Sequence, residues 1–460
     1  MVIPAPVSRV DAPGTVALRS VSGEPTVATY LSEALGLPVV EHGDLRLVLG
    51  ASPGPGGYTL EVSGDGARIE ADAPAGLFAG AQTLLQLERG STVGHVRIED
   101  HPRFAYRGAM LDIARHFFGV DDVKRYIDDI ALLKFNHLHL HLTDDQGWRI
   151  AIDSWPRLTE VGGLTQVGGG GGGFLTKDDY REIVRYAASR FVTIVPEVDL
   201  PGHTNAAIVA YPELGDAPAQ PYEGIEVGFS SLAIRSESTY RFVDDVVREL
   251  AELTPGPYLH IGGDESLATA DEDFLYFIER ASAIVASHGK TAIGWHEMGR
   301  SAALPRGTVG QYWSFTTPQP GAAEHARSFL AQGGPLIMSP ADVAYLDMKY
   351  DAASELGLVW AEGPTSVRAS YEWDPAQIVP GVGDEQLLGV EAPICSETLR
   401  TIDDVEAMAL PRLACIAEIA WSPRAGRSWE SFEPRLAGLG PLLDARGVRY
   451  YRAPEVSWPQ

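Results

Sequence analysis

Two adjacent carboxylates, Asp264 and Glu265, close the run YLHIGGDES at residues 258–266. An apolar segment leads into two glycines and then delivers the acids side by side. A barrel enzyme sets a general acid and a substrate-orienting partner in such a place. A carboxylate beside Glu265 would also raise the pKa of Glu265, so that it keeps a proton nearer neutral pH. Taken alone, Gly-Asp-Glu is equally an ordinary turn with solvated acids.

Other residues of chemical interest are scattered along the chain. His137, His139 and His141 alternate along one segment, so as a strand they share a face. His-x-His patterns bind zinc in some barrels, which would make a metal-dependent amidohydrolase. Here, however, the pattern falls on the second strand segment and no matching Lys or His ends the later ones. A polar network lining the barrel is expected instead, with no metal. The two cysteines, Cys395 and Cys415, have no Cys or His at ligand spacing and imply no disulfide framework. A Cys395 nucleophile would lack a His/Asn partner. The run Gly168–Gly173 is too glycine-rich for helix or strand and lacks the Lys-Ser/Thr of a phosphate loop; a plain linker is expected.

The elements that must position these residues fall into two groups. Residues 1–100 read as a small α+β domain: a helix in TVATYLSEALGLP ending at glycine, a strand in LRLVLG, a hairpin in YTLEVSGDGARIEAD, and a helix in AGLFAGAQTLLQLE. From residue 101 to 460 strand and helix alternate. The strand candidates are YRGAMLDIAR, NHLHLHLTDD, VTIVPEVDL, YLHIGGDE, TAIGWHE, TVGQYW, AYLDMKY with the preceding PLIMS, and LLGVEAPI. Eight such units predict a (β/α)8 TIM barrel with a helical C-terminal end, in the α/β class. Most of these segments end in polar or aromatic residues, which places a site at the C-terminal face of the barrel.

The formal charge of −26, from 62 acids against 36 bases, repels nucleic acid and anionic membranes. No window approaches the roughly 18 apolar residues of a membrane span. No basic segment followed by an apolar run opens the chain, so a cytoplasmic location is expected. A secreted protein trimmed of its signal would read the same. Nothing in the sequence specifies an oligomeric state.

The motifs LDIARHFF, HLHLTDDQGWRI, VPEVDLPGHT, HIGGDES, QYW, YLDMKY and GVEAPICSETL, in this order, resemble those of the β-N-acetylhexosaminidases of glycoside hydrolase family 20. The N-terminal domain also resembles the one preceding that family's barrel. The resemblance implies substrate-assisted retention, in which the sugar's own 2-acetamido oxygen attacks the anomeric carbon and forms an oxazolinium ion. It implies Glu265 as acid/base, Asp264 holding the acetamide N–H, and Tyr345 aiming the acetamide oxygen. Asp347, two residues on, is expected on the same strand face as Tyr345 and in contact with a sugar hydroxyl. Arg115 and Glu397 match residues that grip hydroxyls at the non-reducing end. Asp144 matches a carboxylate near the site, and Asp199 and His203 a pair supporting Glu265. Trp295 and Trp313 match aromatic walls around the terminal sugar, and Trp360 a platform for the next one. No cofactor is implied.

Cys395 departs from the family pattern, which carries a tryptophan there. A wider pocket follows, unless another aromatic such as Trp373 fills the gap. The resemblance thus leaves open a specialised hexosaminidase for a substituted (for example sulfated) or disaccharide terminal unit. A non-catalytic glycan-binding protein on the same fold is a further alternative, against which the intact Asp264–Glu265 pair and Tyr345 argue.

Overall fold

The computed structural model describes residues 1–90 and 92–459. The chain first builds a six-stranded sheet in the order Ser8–Ala17, Thr92–Asp100, Tyr58–Ser63, Gly66–Ala71, Leu45–Leu49, Val21–Gly23. The hairpin read from Gly-Asp-Gly is present, with Ser63 opposite Gly66 across a two-residue turn. The first helix, Pro25–Leu35, stops where Gly36 takes a left-handed conformation, which glycine adopts without a Cβ clash. The second helix, Pro74–Leu87, is buried along nearly its whole length because it is held from two sides. Gly80 lies against Tyr58 and Ile69 of the sheet. On the barrel side Gln86 Nε2 donates to Leu132 O at 3.2 Å, and Phe78 meets the Phe191 ring at 5.2 Å.

Eight parallel strands then close a barrel: Tyr106–Asp112, His137–His141, Thr193–Glu197, Tyr258–His260, Thr291–Trp295, Val309–Tyr312, Leu336–Met338 and Leu387–Ala392, in sequential order with the eighth paired to the first. Helices such as Val120–Leu132, Lys177–Ser189 and Glu237–Leu253 carry apolar stripes that cover the outside. Among the described residues, no helix is long and apolar enough to cross a membrane.

Two expectations need correction. The seventh strand lies in PLIMS alone. AYLDMKY is not strand: its first residue closes the helical turn Ala341–Ala344, and Tyr345 and Asp347 sit in irregular chain pinned by Leu346 N–H to Pro393 O at 2.8 Å. The Gly168–Gly173 run is not a plain linker. Gly168 N–H donates to Glu223 O, Gly172 N–H to Leu164 O and Gly173 N–H to Gly163 O.

One buried carboxylate joins the sheet domain to the barrel. Asp100 accepts from Tyr58 Oη at 2.8 Å, Lys134 Nζ at 3.0 Å and Trp421 Nε1 at 3.0 Å. Tyr58 belongs to the sheet, while Lys134 and Trp421 belong to the barrel.

Candidate active site

The C-terminal ends of the strands enclose a cavity of about 410 Å³. Asp264 and Glu265 line it, just after the fourth strand. Their presentation depends on the two glycines before them. At Gly262 φ is +68°, and a Cβ there would lie 1.7 Å from Asp199 Oδ1. Gly263, with φ +98°, donates its N–H to the same oxygen at 3.2 Å. Glu265 itself has φ +43°, a conformation that costs a non-glycine residue about 1–3 kcal/mol and persists at sites where the surroundings enforce it.

Burial, together with the neighbouring Asp264 carboxylate, raises Glu265 to about 6. The group therefore exchanges its proton close to neutral pH, as an acid/base must. His203, also at positive φ (53°), points Nε2 at both acids from 3.6 and 3.7 Å. Its Nδ1 contacts Asp144 Oδ1 at 3.1 Å. Burial opposes the charge on Asp144, but Arg115 and His203 hold it well below the usual carboxylate range. Asp199 goes the other way: burial and then Asp264 lift it well above that range.

The walls are aromatic, and each tryptophan is aimed by a carboxylate behind it. Trp295 Nε1 donates to Glu197 Oε1 at 3.1 Å, Trp313 Nε1 to the two Glu297 oxygens at 3.0 and 2.9 Å, and Trp360 Nε1 to Asp347 Oδ2 at 2.9 Å. Tyr345 meets Trp360 edge-on at 5.1 Å between ring centres. Tyr345 itself lines the cavity. Arg115 also faces the cavity, with Nη2 2.8 Å from Asp144 Oδ2 and Nη1 3.3 Å from Asp112 Oδ2. Beside it Glu397 is raised to about 7 by burial, with Arg115 pulling the other way.

The structure thus brings Asp264, Glu265, Tyr345, Arg115, Asp199, Trp295, Trp313, Trp360, Cys395 and Glu397 to one cavity. Three of the expected site residues, Asp144, His203 and Asp347, are not on its wall. Asp144 and His203 are buried behind Arg115 and the acid pair. Asp347 accepts from the Trp360 indole and from the Cys395 amide, the latter at 3.4 Å. Trp373 does not fill the gap beside Cys395: its indole donates to Ser370 O and packs in the core. Sequence reasoning gave no role to Glu297, two residues past the strand ending at Trp295. The 3-10 turn His296–Arg300 brings it back behind Trp313. Burial, and then Asp264, raise it to about 8.

His139, Glu197 and His260 bring potential metal-binding atoms within 4.8 Å of one another. Both Glu197 oxygens already face nitrogens, including the Trp295 indole N–H, so this donor set is committed to itself.

Flat indole walls suit the apolar faces of a pyranose, and a half-protonated carboxylic acid suits a glycosidic oxygen. Fold and site therefore define a barrel hydrolase of glycosides. The sequence assigns the chain more narrowly. Residues 104–424 match the catalytic domain of glycosyl hydrolase family 20, residues 1–101 match domain 2 of that family, and the chain belongs to it. A β-N-acetylhexosaminidase from Cellulomonas fimi is 44% identical over 96% of this chain and 88% of its own. A mutant Streptomyces plicatus β-hexosaminidase in complex with product GlcNAc superposes with a TM-score of 0.96 at 46% identity, covering 100% of this chain and 97% of its own. A GH20 exo-β-N-acetylglucosaminidase from Vibrio harveyi in complex with N-acetylglucosamine gives 0.87 at 30% identity, covering 98% and 78%.

Proposed function

We propose that this chain is an exo-β-N-acetylhexosaminidase, releasing terminal β-linked N-acetylglucosamine with net retention. The carrying observation is that Asp264, Glu265 and Tyr345 open on one cavity walled by Trp295, Trp313 and Trp360. In the first step Glu265 gives its proton to the glycosidic oxygen. The acetamide oxygen of the sugar attacks C1, and the C1–O electron pair leaves with the aglycone. Asp264 accepts from the acetamide N–H and balances the oxazolinium charge. Tyr345 donates to the acetamide oxygen and aims it. In the second step Glu265 takes a proton from water, water adds to C1, and the ring reopens to the acetamide. Attack by an enzyme carboxylate is not needed, so the usual carboxyl–carboxyl spacing does not apply.

The electrostatics favour a neutral sugar. Arg115 and His141 are the cationic side chains on the cavity, among the described residues, and Asp112, Asp144 and Glu197 already hold them. Glu226, Glu265, Asp264 and Glu397 share the same space. A sulfated sugar would meet repulsion there. Space beside Cys395 favours instead tolerance of a neutral change in ring stereochemistry, such as N-acetylgalactosamine.

The test is parallel hydrolysis of aryl β-glycosides of N-acetylglucosamine, N-acetylgalactosamine and glucose, with the anomer released followed by NMR. Cleavage of the acetamido sugars alone, with the β-anomer appearing first, is expected. Equal cleavage of the glucoside would remove acetamide participation. No cleavage of any would favour a glycan-binding protein.

A further inference from the structure

Beneath the cavity floor the barrel interior holds ionisable side chains that the chemistry above does not use. Barrel interiors are usually filled by layers of branched apolar residues, and burying charge there is costly unless every ion is paired. Here carboxylates and imidazoles face one another throughout. Glu197 ends the third strand, fully buried. Four nitrogens converge on its two oxygens: Trp295 Nε1 at 3.1 Å and His260 Nδ1 at 2.8 Å on Oε1, His141 Nδ1 at 2.5 Å and His139 Nε2 at 3.0 Å on Oε2.

Two of these partners reach further. His139 Nδ1 lies 2.9 Å from Glu391 Oε1, and Glu391 also accepts from Tyr106 Oη and Gln311 Nε2. His141 Nε2 lies 2.8 Å from Asp144 Oδ2, and Asp144 Oδ1 lies 3.1 Å from His203 Nδ1. His203 Nε2 then faces Glu265. Carboxylate and imidazole alternate from Glu391 on the eighth strand to the acid pair at the mouth. Burial opposes charge on His139, yet Glu391 and Glu197 raise it to about 9. Burial likewise opposes charge on His141, which Glu197 and Asp144 hold above the usual imidazole range.

We propose that Glu197 is a positioning residue that ties the two halves of the site together. Through Oε1 it aims Trp295, a wall of the sugar pocket. Through Oε2 it fixes His141 as a double donor, and so the Asp144–His203 pair that faces Glu265. The inference rests on the hexosaminidase reading for its substrate. Besides its four nitrogen partners, Glu197 is approached by Asp199 from the loop after its own strand. Glu265 is faced by Asp264, His203, Arg115 and Asp144, and in turn acts on Glu297.

Glu197→Gln gives a signed outcome. An indole N–H can only donate, so the amide oxygen must stay with Trp295. The amide NH2 then faces His141 Nδ1 and His139 Nε2, which must accept, and both imidazoles become neutral. One negative charge and two protons leave the cluster, making it one unit more negative. Glu265 should hold its proton more tightly, and the alkaline limb of kcat/KM should move up by ~0.5 pH unit. KM should change little, because Trp295 keeps its partner. His141→Gln removes one positive charge, spares the Trp295 bond and should move the limb the same way. If Glu197→Gln does not fold, His141→Gln decides. A folded variant whose pH profile overlays the wild type would make the cluster mere barrel packing and overturn the proposal. Failure of the wild-type chain to cleave any N-acetylhexosaminide would instead overturn the hydrolase reading.

Discussion

His203 presents one nitrogen to both members of the acid pair, 3.6 Å from Glu265 Oε2 and 3.7 Å from Asp264 Oδ2. Because Asp144 holds its other nitrogen, the ring cannot turn away to solvent. Glu265 therefore titrates against a fixed neighbour. With Glu265 at about 6, the protonated acid is present below that pH and lost as pH rises through it. kcat/KM on substrates with poor leaving groups should fall above pH about 6, read from a pH series on chitobiose. Glu265→Gln should cost about 10²–10⁴-fold on such substrates and far less on dinitrophenyl glycosides, which need little protonation. Equal losses on both would count against the assignment.

Asp264→Asn should slow good and poor leaving groups alike, since acetamide participation is lost with either. It should also lower the Glu265 pKa, because a neighbouring negative charge has gone. The residual alkaline limb should shift to lower pH. An upward shift would show that Asp264 is not the group raising Glu265.

Glu297, raised to about 8, is protonated at neutral pH while it accepts the Trp313 N–H. Glu297→Gln keeps a neutral acceptor of the same size and should stay within about twofold of wild type at pH 6, roughly a surface-substitution effect in free energy. Glu297→Ala leaves the indole unanchored and should raise KM several-fold with a smaller change in kcat. Steady-state kinetics on the two variants separates these outcomes.

Cys395 lines the cavity, and Trp373 does not compensate for its small size. Cys395→Trp should lower the ratio of N-acetylgalactosaminide to N-acetylglucosaminide kcat/KM by about tenfold, the scale on which a filled or empty apolar volume discriminates. An unchanged ratio would show that the space beside the thiol is not read by the sugar.

Asp100→Ala leaves Lys134 buried without its carboxylate and strips Tyr58 and Trp421 of an acceptor. Breaking a buried pair from one side costs about 3–5 kcal/mol. Chemical denaturation should report that loss in a single transition.

Strand–helix alternation made the barrel legible, because most of the buried strands carry apolar runs and the covering helices are amphipathic. The Asp264–Glu265 pair was legible because two glycines and a strand precede it. The seventh strand was not, since only Leu336–Met338 is paired and the more strand-like AYLDMKY is held by long-range bonds such as Leu346 to Pro393. Sequence shows that a residue is polar at a strand end but not which way it faces. Asp144 turned out to be enclosed by Arg115, His141 and His203, and Glu297 to be folded back by a short turn. Trp373 carries the right ring, yet its indole bonds three residues back along its own chain.

The Asp100 junction has a consequence for ancestry. A carboxylate from one folding unit pairs with an ammonium sealed inside the other, so a foreign counterpart lacking the matching partner would strand a charge. A barrel expressed from Pro102 onward is expected to precipitate, and a chimera to work only when the carboxylate and its ammonium partner are both present at the junction. The small domain, remote from the sugar pocket, is thereby bound to the barrel in inheritance rather than in chemistry.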